Sequence, residues 1–138
     1  MKYTYNFSVR FRDTDAYGIV HHSNYFCYFE EARYNFSEKV LKLYEQGVMT
    51  KLKFPVISAE CIYKNALGYA LEEYQVHLKF RILEGARIEF RYELLKENER
   101  KIYAKGRTVH AILNEEDKLC LQLPKSLQEL KERISRNE

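Results

Sequence analysis

The feature that most constrains this chain is a change of hydrophobic period at Pro55. Beyond it, apolar residues recur mostly at every second position, and residues 55–66, 70–83, 86–97 and 101–114 read as four strands in succession. Gly68, Gly85 and the polar run Glu97–Arg100 punctuate them, and the step from Glu97 to Lys101 reads as a hairpin. Ahead of Pro55, residues 3–12 form another strand, with Tyr3, Tyr5, Phe7, Val9 and Phe11 on one face. One helical pattern follows, from Asn24 to about Gln46. Its stripe runs through Phe26, Phe29, Ala32 or Arg33, Phe36, Val40, Leu43 and Tyr44, with Ser23 or Asn24 as cap and Gly47 as stop. After Pro124, the spacing of Leu127, Leu130 and Ile134 predicts a short amphipathic helix at the C-terminus.

One long helix and a run of antiparallel strands make an α+β domain, residues 1–138, with the helix against one face of the sheet. A single helix covers one face only, so water or another copy of the chain must meet the other. The chain holds 12 Tyr and 8 Phe but no Trp. Aromatics in that number need a core, an interface or a ligand wall, and they favour self-association. With 23 basic and 20 acidic residues the net charge is +3, too balanced for a dedicated nucleic-acid binder. Cys27, Cys61 and Cys120 give neither a disulfide framework nor a zinc signature. No signal peptide and no membrane span are read, so the expectation is a cytoplasmic protein.

The segment Asp13–Tyr25, DTDAYGIVHHSNY, concentrates the chemistry. Two carboxylates, a glycine and two histidines occupy a turn that leads into a helix N-terminus. Amides there lack intrahelical partners, and the helix dipole adds positive charge. Such a place suits an oxygen that becomes negative during reaction. A nearby carboxylate can attack a carbonyl or take a proton from water. Turn and capping chemistry is the plainer reading of the same residues. Adjacent histidines point in different directions, and His77 and His110 stand alone in strands, so no metal site is expected.

The stretch DTDAYGIVHHSNYFCYFEEAR, residues 13–33, resembles the signature of the 4-hydroxybenzoyl-CoA thioesterase family, and in particular its YbgC-like acyl-CoA thioesterase branch. The signature runs Asp-Thr-Asp, two variable residues, Gly-Val-Val-Tyr-His, a small residue, Asn-Tyr, then an aromatic helix ending in Ala-Arg. The strand YAKGRTVHAIL and the LP-x-x-L close agree more loosely. The resemblance implies a hotdog fold: a curved antiparallel sheet of about five strands wrapped around a long helix. It implies homodimers with a continuous sheet, often paired into homotetramers, with active sites at the dimer interface.

Residue by residue, Asp15 matches the family's catalytic carboxylate, and Asp13 a turn residue. Gly18 matches the motif glycine and Asn24 the motif asparagine. The backbone N–H of His22 matches the group that polarises the thioester carbonyl, and its side chain the histidine of the YbgC-like branch. His21 departs from the usual Tyr and, with Tyr17, is a candidate for shaping the substrate site. Tyr25 and Phe29 are candidate walls for the acyl group, with core packing as the alternative. Lys79, Arg81, Arg87 and Arg107 are candidates for the phosphates of coenzyme A. The implied reaction hydrolyses an acyl-CoA with no metal and no organic cofactor. Asp15 acts either as nucleophile or as general base. Alternatives are action on acyl carrier protein, with lysines 39, 42, 51 and 53 as a basic docking surface, and non-catalytic acyl binding.

Overall fold

A computed structural model describes residues 1–41, 51–97 and 99–137. Strand β1 (Lys2–Phe7) is followed by a 3-10 turn at Phe11–Asp13 and helix α1 (Asn24–Phe36). Then come β2 (Val56–Tyr63), β3 (Tyr74–Leu83), β4 (Arg87–Lys96), β5 (Ile102–His110) and helix α2 (Lys125–Asn137). The strands make one antiparallel sheet in the order β1-β3-β4-β5-β2. The helix lies on one face of this sheet, which is the expected hotdog plan. The hairpin expected after Glu97 joins β4 to β5.

The core fills the space between α1 and the sheet. Val76, Leu78, Phe80, Ile88, Phe90, Tyr92 and Leu94 point into it from β3 and β4 at period two. Their neighbours His77, Lys79, Arg81, Arg87 and Arg91 are exposed. The inward stripe of α1 is Tyr25, Tyr28, Phe29, Ala32 and Phe36. That differs from the expected stripe at its N-terminal end, where Phe26 is half-buried and Tyr25 and Tyr28 are buried. A tyrosine reads as polar in a periodicity count, yet its ring is worth burying once its hydroxyl finds a partner.

Two boundaries also move. The first strand stops at Phe7, and Phe11 is 77% exposed rather than on the inner face. The chain bends there because the Asp13 carboxylate folds back to accept the N–H of Arg10 at 3.1 Å. After Phe36 the helix widens into a π-helical turn at Ser37–Leu41. The wider turn rotates Leu41 into the core, while Val40 is only half-buried. The expected continuation through Leu43 and Tyr44 to Gln46 and the stop at Gly47 lie outside the described residues. Helix α2 buries Leu127 and Leu130 and half-buries Ile134, as its spacing predicts.

One close fit fixes α1 against the sheet. Phe29 is wholly buried, stacks on Tyr92 with centroids 4.4 Å apart, and lies over Gly106 of β5. A Cβ at position 106 would come within 2.4 Å of the Phe29 ring. No other residue leaves room for that ring.

Candidate active site

The turn between β1 and α1 is a small closed loop. Thr14 bridges to Val20, and Asp15 N–H donates to Ile19 O at 2.8 Å. Gly18 sits at the tip with φ of 78°, a left-handed conformation that disfavours a side chain. Val20 N–H donates to Leu67 O and Ile19 bridges to Gly68, which ties the loop to the segment following β2.

The two aspartates have separate fates. Asp13 is 5% exposed, and its Oδ2 accepts from Tyr28 Oη at 2.8 Å as well as from the backbone and side chain of Arg10. Burial alone would raise its pKa, but these donors overcome that and hold the carboxyl below the usual range. Asp13 O also accepts from His21 N–H and from Asn24 Nδ2, at 2.9 and 2.8 Å. Asp13 is thus the fastener of the turn. Asp15 is half-buried, and its Oδ1 accepts from Tyr17 N–H at 2.8 Å. Among the described residues no donor reaches its Oδ2. One oxygen is anchored and the other is open.

The helix start is capped in an unexpected way. Ser23 stands at the N-cap position but its side chain caps nothing. Instead the Nδ1 of His21 accepts from Ser23 N–H at 3.3 Å and lies 2.8 Å from Ser23 Oγ. The side chain of Asn24 turns back to Asp13 O rather than capping. The N–H of His22 meets no acceptor among the described residues. Its ring packs against His21, with centroids 4.3 Å apart, and edge-on to Tyr63.

Tyr63, the last residue of β2, joins the site from a distant strand. Its hydroxyl donates to His22 O at 3.0 Å and its ring meets Tyr25 edge-on at 4.8 Å. It lies forty-one residues beyond His22 in the chain. Local spacing therefore carries no trace of the contact. Of the remaining candidates, Tyr17 is 87% exposed within the loop, while Tyr25 and Phe29 are buried in packing. Lys79, Arg81 and Arg87 lie on the exposed face of β3 and β4, the face opposite α1. There the register aligns Lys2, Lys79, Arg91 and Arg107 across four strands. Glu89, 2% exposed, offsets part of this charge by pairing with Arg81, Arg91 and Arg107. Lys51 and Lys53 pair with Glu115 and Asp117, and Lys39 is exposed; Lys42 lies outside the described residues. Among the described residues, no three His, Cys, Asp or Glu side chains converge to hold a metal ion. No described helix is long and apolar enough to cross a membrane.

A second polar cluster lies toward the other end of α1. His110, 3% exposed, has its Nδ1 at 2.9 Å from Phe54 O. A carbonyl only accepts, so Nδ1 carries the proton and the neutral ring accepts at Nε2. Thr108 Oγ1 then donates to Nε2 at 2.9 Å, Tyr92 Oη donates to Thr108 at 2.6 Å, and Arg33 donates to Tyr92 at 3.0 Å. Every link in this chain points the same way. Burial, reinforced by the Arg33 charge, pushes the His110 pKa down despite its bond to Phe54 O. Beside it is a cavity of about 190 Å³. Phe80, Ile88 and Phe90 line it from the sheet, and Arg33, Tyr34 and Phe54 line it near the surface.

Comparison with known proteins fits this fold. The model of the thioesterase-like superfamily matches residues 9–131. The chain belongs to the thioesterase-like superfamily. An Aquifex aeolicus (strain VF5) relative named "Putative esterase" is 38% identical over 113 residues, covering 82% of this chain and 86% of its own. Among solved structures, a gentisyl-coenzyme A thioesterase is 26% identical with a TM-score of 0.74, covering 91% of this chain and 99% of its own. A 1,4-dihydroxy-2-naphthoyl-CoA thioesterase from Synechocystis is 18% identical with a TM-score of 0.78, covering 98% of each chain, and speaks for the fold alone. This thioesterase-superfamily chain is therefore read as a hydrolase.

Proposed function

We propose that this thioesterase-superfamily chain is an acyl-CoA thioesterase of the YbgC-like branch, with Asp15 as its catalytic carboxylate. The observation that carries the reading is the pairing of open groups on one loop. Among the described residues, Asp15 keeps one unpartnered oxygen, and the arm that follows ends in the unpartnered N–H of His22 at the start of α1. A thioester carbonyl resting on that N–H is polarised by the amide and the helix dipole. Asp15 then attacks the carbonyl carbon to form a mixed anhydride, or draws a proton from an attacking water. Either route expels the thiolate of coenzyme A, a good leaving group that needs little help from an acid. Gly18 allows the loop its shape. Asn24 and His21 act as positioning residues through their bonds to Asp13 O and Ser23 N–H. The chemistry calls on no metal and no organic cofactor.

The working unit is a homodimer built through β2. That strand ends the sheet, and its residues Val56, Ile57, Ile62 and Tyr63 are 47, 55, 60 and 44% exposed. Its sequence, VISAECIY, has one charge and neither Lys nor Pro to discourage strand pairing. Three free cysteines suit a reducing cytoplasm. The test is thiol release from a panel of acyl-CoAs. Asp15→Asn keeps the size of the side chain and removes its charge. It should lower kcat about a thousandfold with the melting temperature unchanged. Turnover at the wild-type rate by Asp15→Asn would defeat the mechanism.

A further inference from the structure

We infer that Tyr63 is a positioning residue for the proposed reaction: by holding the His22 carbonyl, its hydroxyl sets the aim of the His22 N–H at the thioester oxygen. The inference rests on the thioesterase reading and adds to it a residue from outside the catalytic turn.

Two peptide planes meet at His22. The plane before it carries the open N–H, and its carbonyl, His21 O, accepts from Asn24 N–H at 2.9 Å. The plane after it carries His22 O, which accepts from Tyr25 N–H at 3.4 Å and from Tyr63 Oη at 3.0 Å. The planes are rigid and turn only about the two bonds at the His22 Cα, so holding the second restricts the first. The Tyr25 bond is longer than the usual N–H···O range, whereas the Tyr63 bond falls within the O–H···O range. Tyr63 is therefore the firmer hold on that carbonyl.

The hold also comes from a different body. Among the described residues, Tyr63 supplies the one hydrogen bond that reaches residues 21–24 from the sheet. The other bonds described there come from the turn and α1, and move with them. Tyr63 lies opposite Ala104 on β5, two places along from the pair Cys61 and Gly106. Phe29 rests on that same Gly106. The sheet thus grips the body of α1 through Phe29 and the turn ahead of it through Tyr63.

The hydroxyl suits this duty rather than proton transfer. Burial, with the Cys61 thiol beside it, pushes the Tyr63 pKa up to about 12, so the group stays a donor across the neutral range. Its ring meets Tyr25 edge-on with centroids 4.8 Å apart and His22 edge-on at 6.3 Å, which directs the hydroxyl. Tyr63→Phe keeps the ring and removes the hydrogen bond alone.

Thiol release from acetyl-, hexanoyl- and benzoyl-CoA tests this. On the ester that wild type cleaves fastest, Tyr63→Phe should lower kcat about thirtyfold, because a misaimed donor loses transition-state stabilisation. KM should stay the same, as it does when an interaction made in the transition state is lost. The melting temperature should fall by about 4 °C or less. Placing para-aminophenylalanine at 63 keeps a donor there and should restore kcat to within about threefold of wild type. Placing para-methoxyphenylalanine there keeps the oxygen without a donor and should restore nothing. A second readout needs no turnover. In Asp15→Asn, the C=O stretch of bound, carbonyl-labelled benzoyl-CoA should lie below its value in water, because the His22 amide polarises it. Adding Tyr63→Phe should move it back toward that value. Wild-type kcat in Tyr63→Phe overturns the inference, even with a lowered melting temperature, since a residue that merely packs would behave so. A loss of kcat that para-aminophenylalanine fails to repair overturns it too, as does a carbonyl stretch that Tyr63→Phe leaves in place. A wild type that cleaves none of the three esters, or an Asp15→Asn as active as wild type, fails the thioesterase reading and this inference with it. An inactive Asp15→Asn beside a fully active Tyr63→Phe fails this inference alone.

Discussion

The two ends of α1 handle polar groups in opposite ways. At the start, Asp15 Oδ2 and His22 N–H are left without partners among the described residues, while Asp13 beside them is fully engaged. Toward the far end, Arg33, Tyr92, Thr108, His110 and Phe54 O form one continuous hydrogen-bonded run. Open groups cost stability and can act on a substrate; closed ones rigidify the fold around them. The contrast separates which residues in this chain should fail kinetically from those that should fail structurally.

The sharpest way to break the contrast is at the paired aspartates. Asp13→Ala strands the Tyr28 hydroxyl and the Arg10 N–H, and should cost about 3 kcal/mol of stability. Urea unfolding measures this, and Asp15→Asn in the same assay should cost almost nothing. Equal losses would show that the two carboxylates share one structural duty. The far end sharpens the contrast through Thr108→Val, which cuts the hydrogen-bonded run at its middle and should cost about 2 kcal/mol. The same end should give the protein acid sensitivity. Folded His110 has a lowered pKa and stays neutral, whereas the unfolded side chain binds a proton near pH 6.5. Stability is then fully present above that value and is lost as pH falls below it, until the folded ring protonates too. Urea midpoints at pH 7.5, 6.5 and 5.5 should decline in wild type and decline less in His110→Asn. The smallest effect is expected at the loop tip. Gly18→Ala meets no neighbour within 4 Å but must hold φ at 78°, which costs about 1 kcal/mol. A larger loss would mean that the loop is held by contacts as well as by backbone conformation.

Much of the fold was legible because it rests on period. Alternation after Pro55 marks β3, β4 and β5; the two faces of β3 differ sharply in burial, whereas β4 buries Glu89 on its outer face and β5 buries Thr108, Val109 and His110 in succession. The inward stripe of α1 was displaced near its start because Tyr25 and Tyr28 bury rings that a polarity count leaves outside. It shifted again at Leu41, where the π-helical turn adds rotation that no sequence period announces. In the site, the turn from Asp13 to Asn24 is continuous in sequence and could be found there. Tyr63 and the Arg33–His110 run could not, because the contacts that assemble them, Tyr63 with His22, Arg33 with Tyr92, Tyr92 with Thr108 and His110 with Phe54, join residues far apart in the chain. A histidine or threonine in a strand reads as solvent-facing until the fold puts its partner opposite.

The vacancy at Gly106 has a mechanical meaning. Phe29 drops into it like a dowel into a drilled hole, so α1 can neither roll about its axis nor slide along β5. The aim of the first amides of that helix is thus set one and a half turns downstream, by a wholly buried ring. Any side chain added at 106 would lever the helix outward and misalign its opening turn, so the injury would surface as slowed chemistry at a point where no chemistry occurs.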